Sequence, residues 1–141
     1  MFEDKIKRII RDLDNVIEIA KAESVQQIYG DSLQRIFDKG QDKFNNQIGK
    51  YNPNFVLNGK NYIQTRKDKG LQTAFVDLTF TTALNKSIAR NKDQIYFSNS
   101  YGRVIAAKNE KNFNKRIFAP SKDEAKVFID ILNEELVKLW K

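Results

Sequence analysis

The chain contains no cysteine and no histidine among its 141 residues. The absence of cysteine excludes disulfide bonds, thiolate metal sites and thiol nucleophiles. The absence of histidine removes the commonest general base near neutral pH and the commonest metal ligand. Most hydrolase and zinc chemistries are excluded on these grounds, and we expect neither a cofactor nor a bound metal.

Long apolar runs are missing as well. A membrane-spanning helix needs roughly 20 apolar residues, and no stretch of the chain approaches that length. Residues 1–14 are charged throughout, so we expect neither a signal peptide nor a membrane partner. With 40% apolar residues, 6 Gly and 2 Pro, the composition is typical of one folded domain spanning residues 1–141.

Basic residues are concentrated in the middle of the chain. The formal net charge is +7, and residues 51–118 carry 12 basic and 4 acidic side chains, whereas residues 1–50 carry 9 of each. A basic segment of this kind is a possible contact surface for nucleic acid or for an acidic protein. The plainer interpretation is that the Lys and Arg side chains solvate a sheet face and its loops.

Apolar residues recur at spacings of three and four along the first 50 residues, which predicts amphipathic helical structure. The pattern is clearest over residues 2–20 and continues to about Ile48. Gly30 and Gly40 interrupt it, so we predict either one long helix or two segments with a kink. Gly49 and the approach to Pro53 are expected to end the helix.

The end of the chain carries the clearest local signal. Ser121, followed by Glu124, forms a capping-box pattern, and Asp123 adds favourable charge at the positive end of the helix dipole. The stripe that follows, ending at Trp140, predicts a C-terminal helix from residue 120 onward. Its apolar members are Ala125, Phe128, Ile129, Leu132, Leu136 and Leu139.

The middle of the chain predicts short elements. Asn58-Gly59 favours a tight hairpin, giving a basic flap over residues 51–78. Over residues 79–119 we expect a short helix at 82–90, capped by Thr79 or Thr81, two strands at 94–98 and 103–107 joined by a turn, and a basic loop at 108–116. The predicted fold is α+β, with two N-terminal helices and a C-terminal helix packed on a small antiparallel sheet.

A search for catalytic patterns finds little. The glycines form neither a dinucleotide fingerprint nor a phosphate loop, and no serine lies in a G-x-S-x-G elbow. Four carboxylates of the basic middle could serve a metal-dependent nuclease if the fold gathered them, although turn capping is the favoured role. They are Asp68, Asp77, Asp93 and Glu110. The aromatic residues interleaved with Lys and Arg could stack bases, but filling the core is the favoured interpretation.

One part of the chain resembles a known family. The residues that carry the likeness form three groups: Asp77, Leu78, Thr79, Leu84, Ser87 and Ile88; then Tyr101; then Arg116, Phe118 and Pro120. These echo three features of a known family: a stretch like D-L-T-G-x-L-x-x-S-I, a Tyr near a strand turn, and a Pro- and Phe-bearing segment before a final helix. In this order they resemble the tail-completion, or head-to-tail joining, family of tailed phages, also called virion morphogenesis proteins. Phe80 stands near the place of the usual Gly.

The resemblance implies a non-enzymatic protein of the virion neck or tail that is assembled in the host cytoplasm. It implies a homo-oligomeric ring whose partners are neighbouring neck, portal-adaptor or tail-tube proteins, with weak non-specific DNA contact. The alternative is a small basic nucleic-acid-binding module. For either function, the candidate partner contacts are the basic residues Lys108, Lys111, Lys115, Arg116, Arg66 and Lys67.

Overall fold

The computed structural model describes residues 1–79 and 81–141, so Phe80 lies outside the described residues. Within those ranges the chain forms five α-helices and two small antiparallel sheets of two strands each. The predicted mixed α+β class is confirmed. The sheet differs in detail, because two separate hairpins take the place of one meander.

The first element is one long helix, α1, over Phe2–Leu33, which continues into a π-helical turn over Gln34–Asp38. The predicted extension to Ile48 is wrong. Gly40 has φ +62°, and a Cβ there would collide with the carbonyl oxygen of Val76, so the chain turns sharply at this glycine. The buried Asp42 then accepts hydrogen bonds from the backbone N–H groups of Phe44 and Asn46, which holds a loop in place of a helix.

The last helix, α5, spans Lys122–Trp140 and packs antiparallel along α1. Its first turn lies beside the end of α1, where Ser32 donates to Glu124, and its last turn lies beside the start, where Trp140 contacts Phe2. The capping box is confirmed: Ser121 Oγ accepts from the N–H of Glu124, and Glu124 Oε1 accepts from the N–H of Ser121. We call α1 and α5 together the helical arm.

Residues 34–121 form the rest of the molecule, which we call the α/β unit. Its helices are α2 (Tyr62–Asp68), α3 (Ala83–Ser87) and α4 (Ser100–Phe113), and its strands are β1 (Val56–Leu57), β2 (Lys60–Asn61), β3 (Ile88–Arg90) and β4 (Ile95–Phe97). The hairpin at Asn58-Gly59 is confirmed. Both turn residues have positive φ, 53° and 76°, and Leu57 pairs with Lys60.

The predictions of a strand at 103–107 and of a basic loop at 108–116 are wrong. Residues 103–107 and 108–113 belong to one helix, α4, and β4 pairs instead with β3, with Ala89 opposite Tyr96. Asn99 caps α4 by accepting a hydrogen bond from the N–H of Gly102, so the expected turn is a helix start. The expected short helix at 82–90 ends at Ser87, and helix α2 replaces part of the predicted flap.

The core lies in the α/β unit, next to the end of α1. It consists of Ile36, Phe37, Ile48, Val76, Leu84, Ala106 and Ile117. Partly buried aromatic side chains pack around it, including Phe97 and Phe118, whose rings meet edge to face with centroids 5.6 Å apart. Among the described helices, none combines the length and apolar character needed to cross a membrane.

Candidate assembly surface

The six basic candidates occupy different environments. Lys108 and Lys111 are exposed on helix α4, and Lys67 is exposed on α2. Lys115 follows α4, and its Nζ lies 4.0 Å from the buried carboxylate of Asp42. Arg116 has an exposed side chain, while its carbonyl accepts a hydrogen bond from the N–H of Lys43. The predicted projecting loop is therefore a helix with a short tail.

Arg66 is fully buried and does not suit a contact with a partner. Its guanidinium donates to Asp77 Oδ1 at 3.1 Å and to the carbonyls of Gln72 and Thr79. Asp77 also accepts from the side chain of Gln72 and from the N–H of Thr79. The two charges are thus paired and surrounded by hydrogen bonds, which is the condition under which charges are tolerated inside a protein.

This ion pair positions two tyrosines. The guanidinium of Arg66 lies 4.5 Å from the ring centre of Tyr51 and 5.9 Å from that of Tyr62. The hydroxyl of Tyr51 donates to Asp77 Oδ1 at 3.2 Å. Burial is the main cause that raises the pKa of Tyr51, so the phenol stays protonated and keeps its donor.

The two tyrosines form one wall of an open groove of about 460 Å³, which we call the aromatic groove. Phe55 lies on the same side, in edge-to-face contact with Tyr62. Helix α4 also lines the groove, through Tyr101, Ile105, Asn109 and Phe113, which recur every four residues on one face of the helix. Grooves of this size and apolar character are common sites for ligands and for peptide segments.

An uncovered apolar surface lies at the start of α1. The buried residues of this helix are Val16, Ala20, Ser24 and Val25, none of them in its first fourteen residues. Before them, Phe2 is 69% exposed and Ile10 68% exposed, although both belong to the apolar stripe of the helix. The last turn of α5 reaches this region through Trp140, which is itself 41% exposed. We call residues 2–13 together with Trp140 the arm tip.

Charge is divided between the two parts of the molecule. Helices α1 and α5 together carry 12 acidic and 8 basic side chains, whereas residues 34–121 carry 16 basic and 6 acidic ones. The arm is therefore net negative and the α/β unit strongly positive. Several arm charges are paired at the surface, as in Lys7 with Glu3 and Lys21 with Glu18, but the imbalance remains.

The residues that carry the family resemblance lie mainly inside the α/β unit. Asp77 belongs to the buried ion pair, Leu84 to the core, and the buried Ser87 donates to the carbonyl of Leu84. Tyr101 lies in the first turn of α4 and lines the aromatic groove, so it is not part of a turn between strands. Tyr101, Arg116 and Pro120 are the exposed members of this set.

The described residues contain no group of three or more acidic side chains that could hold a metal ion. Comparisons of the chain with protein-family models, with curated proteins and with solved structures found no match.

Sequence reasoning missed the aromatic groove and the buried Arg66. A signal for the groove was present in the spacing of Tyr101, Ile105, Asn109 and Phe113, which is helical and incompatible with the alternation of a strand. The pairing of Arg66 with Asp77 had no local signal, because the two residues are 11 positions apart with an irregular connection between them.

Proposed function

We propose that the protein is a non-enzymatic structural protein of a phage virion, which completes the tail or joins it to the portal as a ring of subunits. The observation that carries the assembly role is the uncovered apolar surface at the arm tip and in the aromatic groove. Soluble monomers rarely leave large apolar patches open, and such patches are typical of surfaces that meet another protein. The resemblance, which covers roughly residues 75–140, supports the place of this assembly in a virion.

In this role the protein acts through its shape and its charge. The long helical arm gives each subunit a rigid extension, and the basic α/β unit offers lysines to an acidic neighbour or to DNA in the channel. Exposed Lys108, Lys111 and Lys67 would attract DNA without sequence preference, through the phosphate backbone. No chemical step is required of the protein in this role.

Disrupting the gene in its phage and examining the lysate by electron microscopy tests this proposal. We expect filled heads and separate tails, or heads with incomplete tails, and recovery of joined particles when the gene is supplied in trans. Mass spectrometry of purified virions should detect the protein. Joined, infectious particles in the absence of the gene would overturn the proposal.

A second candidate, a small nucleic-acid-binding module, is favoured by the excess of basic residues in the α/β unit. It predicts tight binding whose affinity falls with salt at a log-log slope of about −0.9 per duplex phosphate contacted. Titration of labelled duplex and single strand across salt concentrations, with Lys108→Ala/Lys111→Ala as the test variant and Lys138→Ala on the arm as control, distinguishes the two. Weak binding that is insensitive to the α4 lysines would contradict this candidate.

A further inference from the structure

We infer that the aromatic groove binds single-stranded nucleic acid, with bases stacked on its rings and phosphates held by lysines at its rim. This ligand goes beyond the assembly role, which does not require it and keeps the arm tip as a contact surface. Three properties of the groove support it: the rings, the charge and the fixed shape.

Aromatic rings are concentrated in the groove. Five of its fourteen described lining residues are aromatic, although only 11% of the whole chain is. Phe55, which precedes the first hairpin, is 48% exposed, and Tyr101 on α4 is 53% exposed, so ring surface is accessible to a ligand. Nucleobases stack on such rings whatever their sequence, because every base has a π-face.

The charge of the groove suits a polyanion. No carboxylate is found among the described lining residues, whereas exposed Lys50 is one of them. Exposed Lys108 follows Ile105 by three residues on α4, so their side chains are neighbours on the helix surface. The surrounding residues 34–121 carry 16 basic and 6 acidic side chains. Phosphates of a strand that leaves the groove therefore stay in a positive field.

The wall around Tyr51 is ordered before any ligand binds. The hydroxyl of Tyr51 donates to Asp77, and its ring centre lies 4.5 Å from the guanidinium of Arg66. The rings of Tyr51 and Phe55 both meet that of Tyr62 edge to face, at centroid distances of 5.6 and 5.5 Å. Arg66 also pairs with Asp77, whose charge would otherwise repel a phosphate. An ordered platform loses little conformational freedom on binding, which favours affinity.

The rings favour a single strand over a duplex and over an acidic peptide. In a duplex the bases are stacked on one another, so only the attraction between lysines and phosphates would remain. An acidic peptide offers a ring only where its sequence holds an aromatic residue, whereas every nucleotide brings both a ring and an anion. Asn52 and Asn109 add amide groups of the kind that bond to base edges.

Fluorescence anisotropy with the purified full chain tests this ligand. The labelled probes are oligo(dT) and oligo(rU) of about 16 nucleotides, the upper range of site sizes for single strands, and a duplex of equal length. We expect a single strand to bind about tenfold or more tightly than the duplex, and the two oligomers distinguish DNA from RNA. The competitors are inorganic polyphosphate, which has charge without rings, and poly(Glu,Tyr), an acidic peptide with rings.

Variants separate stacking from charge. Tyr101→Ala should weaken single-strand binding by about 5- to 150-fold and leave its salt dependence unchanged, because one stacked base is lost and no phosphate contact is. Tyr101→Phe keeps the ring and should bind as the wild type does. Lys108→Ala should instead reduce the log-log slope against salt by about 0.7, the value for one phosphate contact on a single strand.

Phe55→Ala is a second ring variant, which keeps the test valid if Tyr101→Ala does not fold. The matched controls are Tyr96→Ala on β4, at a ring that is 43% exposed, and Lys126→Ala at an exposed position on α5, both outside the groove. Neither control should change the affinity for a single strand. Circular dichroism confirms that each variant is folded.

Three results would overturn the inference. The first is a duplex or polyphosphate that binds as tightly as the single strand, which would indicate attraction by charge alone. The second is unchanged affinity in folded Tyr101→Ala and Phe55→Ala, which would place any binding elsewhere. The third is poly(Glu,Tyr) that binds more tightly than either oligomer, which would make the groove a peptide site. None of these results depends on the gene-disruption experiment, so failure of the ligand and failure of the virion role are seen separately.

Discussion

Arg35 and Glu124 form a buried ion pair that joins the π-helical turn after α1 to the first turn of α5, with Nε and Oε2 2.6 Å apart. The same guanidinium donates to the carbonyls of Ile117 and Ala119, and Ser32 donates to Glu124 Oε1. Glu124 also completes the capping box of α5. One carboxylate thus holds the arm together and ties it to the α/β unit.

This arrangement predicts a loss of stability in acid. Burial acts to raise the pKa of Glu124, but the hydrogen bonds from Arg35 and Ser32 outweigh it, and the pKa lies below its ordinary value of 4.5. Since the folded-state pKa is lowered, the stabilisation is complete above the ordinary value and is lost as the pH falls through the lowered one. Denaturation midpoints measured between pH 7 and pH 3 should show this decline.

Two variants test whether Glu124 causes this loss of stability in acid. Glu124→Gln should make stability less dependent on pH in acid. It should also lower stability near neutral pH by about 3–5 kcal/mol, because Arg35 loses its buried charged partner. Glu134→Gln, at an exposed residue of the same helix, should leave the decline of stability in acid unchanged. If the Glu124→Gln variant still loses stability in acid as the wild type does, other carboxylates cause the loss.

We expect Ser121→Ala to lower stability by about 1 kcal/mol, because the N–H of Glu124 loses its side-chain acceptor at the start of α5. Thermal melting of the variant and the wild type measures the difference. Ser100→Ala, at an exposed serine in the first turn of α4, serves as control and should stay within about 0.5 kcal/mol. Equal melting midpoints for Ser121→Ala and the wild type would contradict the role of this cap.

We expect Arg66→Ala to cost about 3–5 kcal/mol, because it leaves Asp77 buried without its charged partner. Arg66→Lys keeps the charge but loses the planar group that faces Tyr51, so it should still destabilise the fold, by roughly 1.5–3 kcal/mol. Denaturant unfolding measures both. Lys67→Ala, the exposed neighbour, is the control, and a similar cost at both positions would contradict the structural role of Arg66.

Leu132 and Ile129 on α5 form an informative pair. Leu132 is half-buried, whereas Ile129 is exposed. We expect Leu132→Ala to cost about 1–2 kcal/mol, less than for a fully buried leucine, because part of its surface stays in water. Ile129→Ala should change the stability of the monomer little. The reverse order of the two costs would mean that the packing of α5 on α1 is rotated.

Local signals in the sequence were sufficient where chemistry within a few residues decides the structure. Asn58-Gly59 predicted its hairpin because both residues tolerate positive φ, and Ser121 with Glu124 predicted the start of α5. The amphipathic pattern predicted the helix that the structure shows over Phe2–Leu33, although it extended the prediction to about Ile48.

The predictions failed where tertiary contacts decide the local structure. Residues 103–107 include Val104 and Ile105, whose β-branched side chains favoured a strand, but the cap at Asn99 and the four-residue spacing of the groove residues belong to a helix. The end of α1 is set by the close approach of Gly40 to Val76, a contact across 36 residues. The arm tip was predicted as part of an amphipathic helix, but how much of it α5 would cover depends on packing.

The π-helical turn at Gln34–Asp38 connects the arm to the α/β unit. In it the N–H of Lys39 donates to the carbonyl of Gln34, five residues earlier, so the turn holds one residue more than an α-helical turn would. Each residue of an α-helix advances by about 100°, so a single deletion here would swing the arm around its axis relative to the unit it supports. Because Glu124 fixes the first turn of α5 to Arg35 in this same turn, such a deletion would also break the register between α1 and α5.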